Sequence, residues 1–394
     1  MEDFKQILSD LNLLPIFKMS LGSKELFHSN FLEYLWSLDN KRFINLINDL
    51  FGSKVLNNSK TYELSREKEN FDICIYHKVN KKIIYDVIIE NKVKSIPNKE
   101  QLDNYVKKVQ SHKQTANYLL LSLFNNFPDR DEVDINRQKG GIWKIVNYQD
   151  LHTAISKHYQ ALSNKDDVYI DDYLAFIQLM QQLEVVTIPS NFINNNLWPN
   201  YNDYKIYRLH DLYIKLRGQE FLRLLKQKLQ TKGITSDIVS IAGDKLRTWY
   251  NNNPNAPKHQ VYLNWNVFNA VGQIAAFIYR GGNEIYEIVI QGPQYRHGIN
   301  YYDANNLQLK TWIQNKNAQA ISAIWSIVGK NNFMREYYWN QQLQQFNTKY
   351  KKGAYCQYKP DYVYRYWDIS KEKIDDLLNG MVEDIDYTLN NVKP

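Results

Sequence analysis

Cysteine is almost absent from this chain. Cys74 and Cys356 are the only two in 394 residues, too few for a disulfide framework or a cysteine-rich zinc site, which fits a reducing, cytoplasmic setting. Long apolar runs are missing as well. Nothing approaches the ~20 consecutive apolar residues that span a bilayer, so no membrane partner is expected. The opening MEDFKQILSDLNLLPIF starts acidic and reads as an amphipathic helix stopped before Pro15, unlike the basic-then-apolar order of a signal peptide. No glycine-rich phosphate loop, G-x-S-x-G elbow, internal repeat or low-complexity tract occurs, which removes the usual signatures of several competing enzyme classes.

Against those absences stand 44% hydrophobic and 23% charged residues, an ordinary globular composition, and a length sufficient for two cores. The formal net charge of +7 favours approach to a polyanion without specifying one. Apolar spacing predicts helices over 24–38 and 41–50, the second stopped by Gly52. Strands over 61–66, 71–77 and 83–91 follow as an antiparallel meander, then a helix over 98–112 and a buried strand over 117–123. That strand, helix, strand order favours a right-handed crossover. Residues 125–141, rich in turn formers and charge, read as a surface loop before a strand over 142–147, and helices over 148–162 and 168–184 complete an α/β sandwich. The asparagine-rich segment 189–202 reads as a linker, placing a domain boundary near Ser190 between 1–190 and 191–394.

The second part, read as an α+β domain, holds most of the 30 tyrosines and 9 tryptophans. A helix is expected over 204–232, strands over 260–268, 272–279 and 285–291 with a hairpin at Gly281-Gly282, helices over 318–328 and 332–346, a strand over 362–367 and a terminal helix over 371–389. Aromatics interleaved with Arg280, Arg296, His297 and Arg365 would suit a stacking surface for bases or another ligand, although core packing accounts for most such residues.

The most informative run is VIIENK, Val87 to Lys92, in which an apolar strand ends in a carboxylate and an ammonium two residues apart. Ionisable groups at the end of a buried strand need a partner or a purpose. Asp72, in ENFDICIY, is the expected partner. The polar KVNKK between the two runs reads as a hairpin loop, and a symmetric hairpin centred on Lys81 sets Asp72 opposite Glu90, with Lys92 on the same face. Two adjacent carboxylates invite a hard divalent cation such as Mg²⁺ or Mn²⁺, and a nearby lysine can orient a nucleophile. The chemistry suggested is metal-assisted phosphodiester hydrolysis. Lys92, Lys94, Lys99, Lys107, Lys108 and Lys113 follow the acidic pair and would suit a phosphate-tracking groove.

These residues resemble the PD-(D/E)XK nuclease superfamily, in particular bacterial members whose core reads E-N-K. The resemblance runs over roughly the first half of the chain: KELFHSNFLEYLW with Glu25, then Asp72, Glu90-Asn91-Lys92, and a helix bearing Gln101-x-x-x-Tyr105. Phe71 stands where many members have proline. The resemblance implies a restriction-endonuclease-like mixed sheet flanked by helices. It also implies a Mg²⁺ site, with Mn²⁺ able to substitute, made by Asp72, Glu90 and the carbonyl of Asn91, Lys92 near the attacking water, and Glu25 completing the set. Glu33, Glu63, Glu67 and Glu69 are alternatives to Glu25 in that role. His28, on the same helix face as Glu25, reads as structural. Gln101 and Tyr105, four apart on one helix face, would hydrogen-bond the substrate backbone. The function expected is an endonuclease acting on DNA, in defence against foreign DNA, with a homodimer as one arrangement. The rival is a nuclease-like binding module for nucleic acid or protein, without turnover.

Overall fold

Two sheets organise the chain. The computed structural model describes all residues except 1–3, 24, 94–98, 124–128, 160–166, 240–258, 269–270, 281–282, 301–355, 359–361 and 392–394. Two units follow from the packing: Met1–Ile188 with Asp203–Leu212, and Pro189–Asn202 with Tyr213–Pro394. The segment expected to be a linker is thus built into the second unit. Arg217 explains why: its buried guanidinium donates to the Asn196 and Leu197 carbonyls at 2.7 and 2.6 Å.

The first unit begins with four helices, α1 (Phe4–Leu13), α2 (Pro15–Ser23), α3 (Glu25–Leu38) and α4 (Asn40–Phe51). Pro15 lacks an N–H and so opens α2 where that donor would be unsatisfied anyway. Asp39 caps α4, accepting from the Lys41 and Arg42 amides at 3.0 Å, and Gly52 ends it at φ 66°. The sheet has the order β1-β2-β3-β4-β5. Strands β1 (Glu63–Arg66), β2 (Ile73–Val79) and β3 (Lys82–Lys92) are antiparallel, while β4 (Asn117–Ser122) and β5 (Trp143–Asn147) continue parallel to β3. Helix α5 (Lys99–Ser111) is the crossover between β3 and β4.

Strand alternation assigns the two faces. Cys74, Ile88, Leu120 and Trp143 pack with Leu102, Tyr105, Val106 and Val109 of α5. Each such large apolar side chain contributes roughly 1.5–3 kcal/mol on burial. Burial pushes the Cys74 thiol up to about 12, so it is a protonated packing group. Helices α7 (Tyr148–Tyr159) and α8 (Asp167–Thr187) follow β5, and Tyr148 meets β3 from the opposite face by bonding Asn91. This mixed sheet with helices on both faces is the restriction-endonuclease-like architecture expected from the sequence.

One expectation in this unit fails: the turn-rich loop contains α6 (Asp129–Ile135) and a short 3₁₀ turn, Arg137–Lys139. Ile135, buried in the cluster under α5, anchors a helix that local composition disfavours.

The expected helix over 204–232 is divided into α9 (Tyr201–Ile206) and α10 (His210–Thr231). Arg208 adopts φ 57° between them, a left-handed residue that neither glycine nor proline announces. The second sheet has the order β11-β12-β10-β9-β8-β7-β6. Its strands are β6 (Ser236–Ile238), β7 (Val261–Phe268), β8 (Val271–Arg280), β9 (Asn283–Gln291), β10 (Gln294–Asn300), β11 (Cys356–Tyr358) and β12 (Tyr362–Asp368). All neighbours are antiparallel except β6 and β7. Strand β10 was not expected because QYRHGIN is polar, yet Tyr295 anchors it by donating to Asp384 Oδ2 at 2.7 Å from the terminal helix α11 (Ile374–Asn391). The helices expected over 318–328 and 332–346, and the Gly281-Gly282 turn, lie outside the described residues. No described helix is long and apolar enough to cross a membrane.

Candidate active site

The β2–β3 hairpin is where a one-residue difference matters. Its turn is the pair Asn80-Lys81, both at positive φ (50° and 68°), closed by Val79 opposite Lys82. A two-residue turn of this kind matches the twist of the strands it joins. The hairpin therefore centres between Asn80 and Lys81, half a residue short of the expected point. Continued without interruption, that register would set Asp72 against Ile89. A bulge corrects it: Tyr76 faces Tyr85 but Ile75 faces Val87, leaving Asp86 as the extra residue. Beyond the bulge Ile73 faces Ile89, and the next step outward brings Asp72 to Glu90. Asp86 is held in place by His77, Nδ1 to Oδ2 at 2.5 Å.

At the end of β3, Glu90, Asn91 and Lys92 are all buried, Glu90 completely. Asp72 Oδ2 accepts the Asn91 backbone N–H at 2.9 Å. The Lys92 ammonium lies 2.5 Å from Glu90 Oε1, and Gln101 Nε2 donates to the same oxygen at 2.8 Å. Gln101 also reaches the Tyr105 hydroxyl at 3.3 Å. Burial first, and the charge of Glu90 second, raise the Asp72 carboxyl to about 7, while the Asn91 amide and Lys92 oppose the rise. Burial and Glu90 likewise raise the Tyr105 phenol, keeping it protonated. Glu90 Oε2 is buried and accepts no hydrogen bond from a described residue.

The opposite face of β3 supports this arrangement. The Asn91 side-chain oxygen accepts from Tyr148 at 2.5 Å. The His28 ring packs edge-on against Tyr148, at 5.9 Å between centroids, and its Nδ1 bonds the Tyr173 hydroxyl at 3.0 Å. Tyr148 was missed in the sequence. Its signal is positional: it follows β5, and in open α/β sheets functional groups collect beyond the carboxyl ends of parallel strands. Lys92, Ser122 and Asn147 share that edge in register.

Glu25 is the first residue of α3, and its side chain lies outside the described residues. Three of the four alternatives are engaged elsewhere: Glu33 with Arg66 at 3.2 Å, Glu63 with Lys78 at 2.7 Å, and Glu69 with His112 at 3.2 Å. Glu67 sits in a left-handed turn at φ 53°. Of the lysines expected to line a groove, Lys99 pairs with Asp103 at 2.5 Å, and Lys108 bonds the Glu69 carbonyl while covering the Phe71 ring. Lys107 and Lys113 are exposed, and Lys94 lies outside the described residues.

The family described as the PD-(D/E)XK nuclease superfamily matches residues 11–175. Over that span the first unit is similar to that superfamily. Comparison with curated proteins finds no match, and comparison with solved structures finds none. The matched span runs from α1 into α8 and contains Glu25, Asp72, Glu90, Asn91, Lys92, Gln101, Tyr105 and Tyr148. Among the described residues no group of three or more His, Cys, Asp or Glu side chains could hold a metal ion. The carboxylates offered are therefore Asp72 and Glu90. That set fits Mg²⁺, which keeps several waters and takes one or two carboxylates, and the buried Glu90 Oε2 has acceptor capacity to offer it.

Proposed function

We propose that this protein is a Mg²⁺-dependent nuclease that hydrolyses phosphodiester bonds within DNA. The observation carrying the reading is the meeting of Asp72, Glu90 and Lys92 at one buried strand end. Asp72, Glu90 and the Asn91 carbonyl would hold the cation. When bound, the ion supplies Lewis-acid polarisation of the phosphoryl group, makes water easier to deprotonate and stabilises the charge of the departing oxygen.

The chain's own residues do the rest. Lys92, paired with Glu90, acts as a hydrogen-bond donor and orients the attacking water. Gln101 fixes the Glu90 oxygen that faces Lys92, so the second oxygen would be left for the cation. Tyr148 fixes the Asn91 amide, and with it the strand segment that carries both charged neighbours. The intact set favours turnover over a binding module.

Supercoiled plasmid with Mg²⁺ is the test, since a closed circle has no ends and its relaxation reports internal cleavage. Lys92→Ala should lower the rate by about 10²-fold or more, the scale of one lost hydrogen-bond donor at the reacting centre. Unchanged cleavage would remove Lys92 from the mechanism. Calorimetric titration with Mn²⁺ should show one site in the wild type and none in Asp72→Ala.

A further inference from the structure

We infer that the second unit holds a nucleobase-binding cavity, walled by Trp198 and Tyr201, that takes one base of a DNA strand; the identity of the strand rests on the nuclease reading above. The cavity measures about 640 Å³ and is lined by Trp198, Pro199, Tyr201 and Pro293, with Asn202 and Ser370 supplying polar groups. A volume of that size lies within the range of small-ligand sites, roughly 300–1,000 Å³.

Its aromatic wall is held rigidly. The Trp198 indole donates Nε1–H to the Gly292 carbonyl at 3.0 Å. Gly272 lets the ring lie close to β8, because a Cβ there would fall 2.7 Å from the indole carbons Cζ2 and Cη2. The backbone leading into Trp198 is clamped by Arg217, whose guanidinium lies over the Phe192 and Tyr213 rings at 4.7 and 5.6 Å. Asn196 Nδ2 ties the same segment to the Ser370 carbonyl at 2.6 Å. With its single donor engaged and its Cζ2–Cη2 edge against Gly272, the indole has its π face for a ligand, and a flat base satisfies that without another hydrogen bond.

What lies beside the cavity is a row of polar groups suited to the hydrogen-bonding edge of a base. Gln273, Gln291, Gln294 and Asp368 form one register row across β8, β9, β10 and β12, and each is the chain neighbour of a cavity-lining residue. Arg296 donates to the side-chain oxygens of Gln294 and Gln291, which fixes an amide row beside a guanidinium. An apolar peptide or a lipid chain would use none of this.

The test is fluorescence anisotropy of a fluorescein-labelled single-stranded DNA oligonucleotide with the full chain in EDTA, where metal-dependent cleavage is suppressed. Trp198→Ala should weaken binding about tenfold, the size of one lost base–aromatic stack, while Trp198→Phe, which keeps a stacking face, stays within about twofold. Duplex DNA, with its bases stacked away, should bind Trp198→Ala and wild type alike. Tyr201→Ala at the half-buried rim gives an independent reading should Trp198→Ala melt early by circular dichroism, and it should weaken the single strand by about threefold or more. Wild-type affinity in both alanine variants, a loss in Trp198→Phe equal to that in Trp198→Ala, or an equal loss for duplex would each overturn the inference. Plasmid cleavage is read separately: an inactive wild type would fail the nuclease reading and leave a base-dependent affinity loss standing.

Discussion

The first unit balances its charges in number and gathers a buried pair of them at one strand end, whereas the second carries the excess. In the first unit Glu90 is 0% and Lys92 7% exposed, and their meeting with Asp72 depends on strand register. In the second unit the surplus is 23 basic residues against 15 acidic ones. Desolvated charge is costly unless each group has a placed partner, so a catalytic cluster needs positional accuracy. Attraction of a polyanion follows from summed charge and tolerates imprecision. On the proposed reading the difference separates chemistry, which a one-residue slip destroys, from capture, which no single lysine controls.

That separation can be broken most severely through register. Inserting one alanine between Ile88 and Ile89 should turn Glu90 and Lys92 to the wrong face, abolish plasmid cleavage and destabilise the first unit by about 3–5 kcal/mol, the scale of a stranded buried charge. Deleting Asp86 should do far less, because it removes the bulge and leaves Ile73 facing Ile89, so cleavage persists. Equal damage from both, by plasmid assay and urea melt, would sink the register account.

A smaller effect tests the electrostatics. The folded Asp72 carboxyl sits at about 7, above its ordinary 3.8, so the folded state binds more protons between those values. Stability from this group is therefore present at low pH and is lost as pH rises towards 7. Without divalent metal, Asp72→Asn should flatten the decline and stabilise the protein at pH 8 by on the order of 2 kcal/mol. Glu184, also raised to about 7 by burial, slopes the same way in both proteins, so the difference between their melts isolates Asp72. A parallel pair of pH profiles would contradict the assignment.

The smallest change is Tyr148→Phe. It removes the donor to Asn91 and should cost roughly 1–2 kcal/mol in thermal or urea unfolding, with single-stranded DNA affinity unchanged because the second unit is untouched. A loss of strand binding would show that the two activities are not separable.

The strand ending in Glu90-Asn91-Lys92 was legible because charge terminates an apolar run there, and Gly52 marked the end of α4 by chemistry that few residues share. The turn and bulge were not legible. Nothing in Asn80, Lys81 or Asp86 fixes a two-residue turn over a longer loop until the strands pair, and the symmetric count reached Asp72 and Glu90 through a centre that the structure moves. Helix α6 was hidden because the burial of Ile135 depends on partners distant in the chain. The break at Arg208 carries no glycine or proline. Segment 189–202 looked like a tether because asparagine favours loops, and only the burial of Arg217 shows why its carbonyls are fixed.

Asp86 makes the hairpin an adjustable ruler. From the turn to the carboxylates, one arm holds a residue more than the other, and the bulge absorbs the difference. Later changes in arm length are then constrained by arithmetic: residues can enter or leave two at a time, or singly where a bulge appears or vanishes with them. The loop end of this hairpin is free to drift in sequence, but its length is tied to a carboxylate pair some eight residues away.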